Sequence, residues 1–118
     1  MKLADPIQVK WNNTLGAAAE AQQLILPPEG VLRRVELLIF PAVVGNPATA
    51  QCEAIYFFKR SGRGDPASVI VRGVPLTEAT MLSWDGELYI GQDWALQFNL
   101  TNGTVGDLYV GTALVEVP

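Results

Sequence analysis

The sequence predicts an all-β fold, a sandwich or barrel, on three observations. Short runs rich in Val, Ile, Leu, Phe, Tyr and Trp recur between clusters of Gly, Pro, Asn, Asp and Thr, the rhythm of short strands and turns. Trp94, Leu96, Phe98 and Leu100 alternate with Ala95, Gln97 and Asn99, the period of a half-buried strand. No long helical pattern competes. At 118 residues the chain fits a single domain with one core.

Taken in order, Ile7, Val9 and Trp11 alternate with Gln8 and Lys10 and form a first strand that stops at Asn12-Asn13-Thr14. Leu15 to Gln23 contains Ala17-Ala18-Ala19-Glu20-Ala21, enough helical propensity for about two turns or for an irregular crossing. Leu24-Ile25-Leu26 runs into the tight connection Pro27-Pro28-Glu29-Gly30, and Val31 to Phe40 follows as a long strand. Leu37-Leu38-Ile39-Phe40 and Ala54-Ile55-Tyr56-Phe57-Phe58 are apolar on both faces, so a second layer or another subunit is expected to cover each face. Gln51 to Arg72 reads as a hairpin with its tip at Ser61 to Ala67. Thr80 to Trp84 and Glu87 to Ile90 read as a second hairpin turning at Asp85-Gly86. A turn cluster at residues 101–107 separates the strand at Trp94 from a closing strand, Leu108 to Val117. The total is eight or nine strands, with no internal repeat and no linker.

Composition points toward assembly. Hydrophobic residues make up 49% of the chain and charged residues 17%, against roughly 25% charged in an average soluble domain. A domain this small has little interior, so part of that apolar surface is expected to face a partner subunit. The net charge of −4 is uneven: residues 1–72 hold all eight Lys and Arg with six acids, and residues 73–118 hold six acids and no base. This asymmetry suits contact between the basic end of one subunit and the acidic end of another, or an acidic solvated surface. Without a basic-aromatic stripe, nucleic acid is not expected as a partner. The most apolar stretch, Val35 to Val44, is short, contains Glu36 and is broken by Pro41, so no membrane-spanning helix is expected. The N-terminus lacks the apolar core of a signal peptide, which makes synthesis in the cytoplasm the expectation.

Chemistry is narrowly bounded. The chain has no histidine and a single Cys52, which removes Ser-His and Cys-His pairs and the commonest zinc ligand sets. Cys52 lies in a strand-like run and is expected to be a buried, inert thiol. Asp85, Glu87, Asp93 and Asp107 are placed on loops, where two of them would have to converge for acid-base or calcium chemistry; the Gly neighbours of Asp85 and Asp107 favour turn roles instead. No catalytic residue, metal site or cofactor is therefore assigned. Among the aromatics Trp11, Trp84, Trp94, Tyr89 and Tyr109, Trp84 is the best candidate for a rim position that would stack on a sugar. Three Asn-x-Thr triplets, at Asn12, Asn99 and Asn102, read as turn and strand-end chemistry. Arg63-Gly64-Asp65 spells the integrin-binding tripeptide at the predicted hairpin tip. Its two glycines and Asp65-Pro66 are equally a turn, and Lys59, Arg60 and Arg63 make the tip the most basic point of the chain. An acidic surface of a neighbouring subunit is its expected contact. The candidate interaction residues are Lys59, Arg60, Arg63, Asp65 and Trp84.

The order of features over residues 24–118 resembles the small jelly-roll β-sandwiches that tailed bacteriophages use as capsid decoration, or cement, proteins. The cues are Leu24-Ile25-Leu26-Pro27-Pro28-Glu29-Gly30 entering a long strand, Trp84-Asp85-Gly86-Glu87-Leu88-Tyr89-Ile90-Gly91 before the strand at Trp94, and Gly106-Asp107-Leu108 opening the last strand. The same cues suit tumour-necrosis-factor-like heads and phage fibre tips, which bind receptors or carbohydrate. The decoration-protein resemblance implies an antiparallel jelly roll and a non-enzymatic virion protein. Such a protein assembles as a dimer or trimer on the outer capsid surface, where it contacts the major capsid protein and bridges capsomers. Residues 1–6 would then be an extended arm docking on the shell.

Overall fold

The computed structural model describes residues 5–17, 19–40, 51–61, 68–76, 81–103 and 105–118. They form eight strands: β1 (Asp5–Thr14), β2 (Glu20–Ile25), β3 (Gly30–Phe40), β4 (Gln51–Lys59), β5 (Ser68–Pro75), β6 (Leu82–Ile90), β7 (Trp94–Thr101) and β8 (Leu108–Val117). Two four-stranded antiparallel sheets result, in the orders β1-β8-β3-β6 and β2-β7-β4-β5. Of the connections between successive strands, only β4 to β5 stays within a sheet; every other one crosses the sandwich. That interleaving is the jelly roll, so the predicted fold class holds.

The core between the sheets follows from period-two patterning. Leu96, Phe98 and Leu100 of β7 point inward, as do Leu37 and Ile39 of β3, Cys52, Ile55 and Phe57 of β4, and Tyr109, Ala113 and Val115 of β8, all buried. Two stacked aromatic pairs close the interior. Trp11 lies parallel to Phe98 with centroids 5.0 Å apart, and Phe57 stacks on Trp94 at 4.6 Å. Trp11 stands opposite Gly111 in the β1–β8 ladder, where a Cβ would come within 2.5 Å of the indole. The missing side chain is what admits the ring.

Several elements depart from the sequence expectation. The expected turn at Asp85-Gly86 is not made: the residues from Leu82 to Ile90 form the single edge strand β6, and Thr80 lies outside the described residues. Gly86 takes no positive φ there; its lack of a Cβ leaves room for the Trp84 ring, which crosses directly over it. The strand yields at a β-bulge. Arg34 pairs with Asp85 and Leu32 with Leu88, so Gly86 and Glu87 together face Arg33. On the other side of β3, Leu32 and Arg34 pair with the adjacent Val115 and Leu114, so Arg33 is there the extra residue. Of the two alternatives for the Ala-rich stretch, the described residues take the irregular crossing, with bends at Ala17 and Ala19, and Glu20 to Ile25 is then laid against Leu100 to Ala95. β1 runs on through Asn12-Asn13-Thr14 and begins early enough for Asp5 and Pro6 to pair with Val117 and Glu116, which leaves residues 1–4 of the expected arm outside the described residues.

One pole of the sandwich gathers Asp5, Val117, the β2–β3 and β6–β7 turns and the base of the β4–β5 tip. At the opposite pole the β1–β2 and β7–β8 loops clasp each other: Leu15 N–H donates to the Asp107 carbonyl at 2.8 Å and Gly106 N–H to the Leu15 carbonyl at 2.9 Å. Among the described residues no helix is long and apolar enough to cross a membrane.

Candidate functional site

Of the residues singled out at the β4–β5 tip, the structure describes Lys59 and Arg60. Lys59 ends β4 opposite Trp94 and is half-buried. Arg60 is pinned to the β6–β7 turn: its N–H donates to the Asp93 carbonyl at 2.8 Å and its guanidinium lies 3.6 Å from the Asp93 carboxylate. Asp93 holds φ at 65° to make this turn. Arg63 and Asp65, with the rest of the tripeptide, lie outside the described residues. Trp84 is partly buried against the core, with its ring over Gly86 rather than on a free rim.

The four carboxylates weighed for chemistry are likewise dispersed. Asp85 and Glu87 sit in β6 rather than on loops. Asp85 pairs with Arg34 at 2.7 Å and Glu87 with Arg33 at 3.4 Å, while Asp93 faces Arg60 and Asp107 is buried at the far pole. Arg33 also meets Glu116 at 3.2 Å, so the β3–β6–β8 bulge carries a three-residue ion network. The hydrogen bond and charge of Asp85 raise the Arg34 guanidinium above its ordinary value, and the Glu87 hydrogen bond does the same for the exposed Tyr89 phenol. The charge asymmetry of the sequence is thus used within one chain, because the strand order threads basic β3 between acidic β6 and β8. Among the described residues no group of three or more His, Cys, Asp and Glu could hold a metal ion. Burial pushes the Cys52 thiol up to about 12 and the Tyr109 phenol, beside Asp107, to about 12, which keeps both protonated.

What the chain does offer is two sheet faces. On the outer face of β1-β8-β3-β6, Phe40 pairs with Leu108 and Leu38 with Val110. Phe40 is 52% exposed, and the other three are half-buried. These four side chains form an apolar patch near the pole of the clasped loops.

On the outer face of β2-β7-β4-β5, successive rows run Ile25, Ala95, Phe58; then Gln23, Gln97, Tyr56, Val69; then Ala21, Asn99, Ala54, Arg72. Gln23 Nε2 donates to Gln97 Oε1 at 3.2 Å, and Gln97 Nε2 donates to Asn99 Oδ1 at 2.9 Å. Two shallow concavities share Gln97 and Asn99. One, of about 340 Å³, is walled by Tyr56 and Phe58; the other, of about 310 Å³, is bounded by Glu20, Glu53 and Thr101. Sequence reasoning reached Tyr56 and Phe58 only as a strand apolar on both faces, and took Gln97 and Asn99 as the polar half of an alternation. The available signal was their register: two aromatics and two amides, each pair two residues apart, on neighbouring strands.

No protein-family model matches the sequence, and no match is found among curated proteins. Among solved structures, the chain is similar to one from the acidic stable capsid of Helicobacter pylori bacteriophage KHP30, with a TM-score of 0.61 at 12% identity over 99% of this chain and 91% of that one. It also matches a chain of infectious bursal disease virus, Gt strain, with a TM-score of 0.47 at 13% identity; the match covers 95% of this chain and about a third of that one, 32%. The fold is therefore shared, along nearly its whole length, with a phage capsid chain.

Proposed function

We propose that this chain is a structural, non-catalytic virion protein that assembles as a dimer or trimer on the outer surface of a phage capsid. There it contacts the major capsid protein and bridges capsomers. The observation that carries the reading is the exposed apolar patch of Leu38, Phe40, Leu108 and Val110 on a jelly-roll sheet face. Apolar surface of this kind suits burial between subunits, and the dispersal of every candidate catalytic carboxylate into an ion pair or the interior supports a role without chemistry. The fold shared with the phage capsid chain supports the same reading. The basic tip around Lys59 and Arg60 is proposed as a secondary contact, weakened by the in-chain partner that Arg60 already has.

Light-scattering mass of the purified chain, with cosedimentation on capsids lacking it, tests the proposal. The wild type is expected to run as a dimer or trimer and to sediment with particles. The double variant Phe40→Ser, Val110→Ser is expected to be a folded monomer that stays in the supernatant. A monomeric wild type that ignores capsids would overturn the reading.

A further inference from the structure

We infer that the outer face of β2, β7 and β4 is a binding site for a neutral, extended oligosaccharide, centred on Tyr56, Phe58, Gln97 and Asn99. Both sides of β7 and of β4 are engaged in ladder pairing, so their backbone has nothing left to offer an added strand, and a ligand on this face meets side chains alone. Those side chains have the two chemistries that a pyranose needs. Tyr56 and Phe58 leave the sheet on the same face, one strand repeat apart, and wall one concavity; aromatic faces of this kind pack against the C–H faces of sugar rings. Beside them runs the amide ladder from Gln23 through Gln97 to Asn99. It is already oriented by its own hydrogen bonds, and the Asn99 Nδ2 hydrogens and the Gln23 carbonyl have no partner among the described residues. An amide both donates and accepts, which matches a hydroxyl that does the same.

Electrostatics select the class of sugar. Neither concavity is lined by Lys or Arg, and the second is bounded by Glu20 and Glu53. A phosphate, sulfate or sialyl group would enter beside two carboxylates, with Arg72, beyond Ala54 at the far side of the row, lining neither concavity among the described residues. Glu20 is committed to its own loop through hydrogen bonds from Gly16, Ala17, Asn13 and Gln22, whereas Glu53, at the bulge between Cys52 and Ala54, is exposed to accept from sugar hydroxyls. Because the two concavities meet at Gln97 and Asn99, the site runs across the sheet and suits a chain of several sugar units rather than a monosaccharide. The face lies on the opposite sheet from the Phe40 patch, so this site stands independently of capsid attachment.

The test uses the full chain, ¹⁵N-labelled, against a panel of neutral oligosaccharides (β-1,4-glucose, α-1,4-glucose, β-1,4-mannose and β-1,4-N-acetylglucosamine series) and their sulfated or sialylated counterparts. At least one neutral series is expected to shift the side-chain amide signals of Gln97 and Asn99 and to give a saturable calorimetric isotherm. Phe58→Ser and Gln97→Ala are each expected to weaken it by roughly tenfold or more. Thr112→Ala, on β8 in the other sheet, is expected to leave it unchanged, and both site variants are checked for native thermal unfolding. Silence across the panel, binding confined to the anionic sugars, or binding that survives both site variants would each overturn the inference. So would a self-association of the wild type that Phe58→Ser abolishes, since a second copy would then be the occupant of this face.

Discussion

The Glu20 carboxylate accepts four hydrogen bonds, from Gly16 N–H at 2.6 Å, Ala17 N–H at 3.0 Å, Asn13 Nδ2 at 2.9 Å and Gln22 Nε2 at 2.8 Å. The bond from Gly16 is the largest reason its pKa lies below the ordinary value of 4.5. A carboxylate whose native value is lowered stabilises the fold while it is ionised, above about pH 4.5, and that contribution is lost as pH falls through the native value. Thermal unfolding across acidic and neutral pH should therefore show Glu20→Gln less stable than wild type near neutrality. The difference should shrink steadily on acidification; a difference independent of pH would mean that charge is not what holds the loop. Glycines show the same economy of cause at residue scale. Gly111 is required by the Trp11 ring and not by a turn, a relation invisible in sequence because its partner stands a hundred residues earlier.

At the scale of elements, legibility followed the pattern of burial. β7 is readable because it has one face on the core and one outward, giving alternation in the sequence, whereas β8 is marked by the turn cluster before it. β6 was misread because Asp85-Gly86 has the composition of a hairpin turn while the structure uses it as a bulge that sets Arg33 between Glu87 and Glu116. Local composition carries no record of the third strand that makes a bulge preferable to a turn. The consequence is testable: a methyl group at Gly86 meets the Trp84 ring at a distance no real contact shows. Gly86→Ala is expected to cost about 1–3 kcal/mol by forcing the ring aside. Denaturant unfolding would read the loss, and a shift in Trp fluorescence the displaced ring. An unchanged midpoint with an unchanged spectrum would contradict the assigned packing. Before β2 only the helical alternative gives way, since Ala-rich propensity of a few tenths of a kcal/mol per residue is outweighed by six residues of ladder.

For the whole molecule, strand count and class were legible, but strand order was not a reading of the residues; it entered with the jelly-roll resemblance. The order has kinetic consequences. β1 pairs only with β8, and β3 lies between β8 and β6, so most ladders join strands distant in sequence. Loop closure must precede those contacts, and stopped-flow refolding is expected on the millisecond-to-second scale of non-local β folds. Microsecond folding would be incompatible with this topology. The candidate site was the least legible part. Lys59, Arg60 and Trp84 stand out in sequence by charge and type, whereas the two exposed faces arise from register across strands, which no single stretch of sequence contains.

The pairing of Asp5 with Val117 has a mechanical meaning. Tension applied through these two ends would part β1 from β8 as a zipper, loading the ladder one rung at a time, so the sandwich is weak along that line. Forces that enter through the sheet faces are borne far better, because many side chains share the load and no ladder is peeled. A sandwich closed by this pairing resists pressure and shear across its broad sides better than tension applied at Asp5 and Val117.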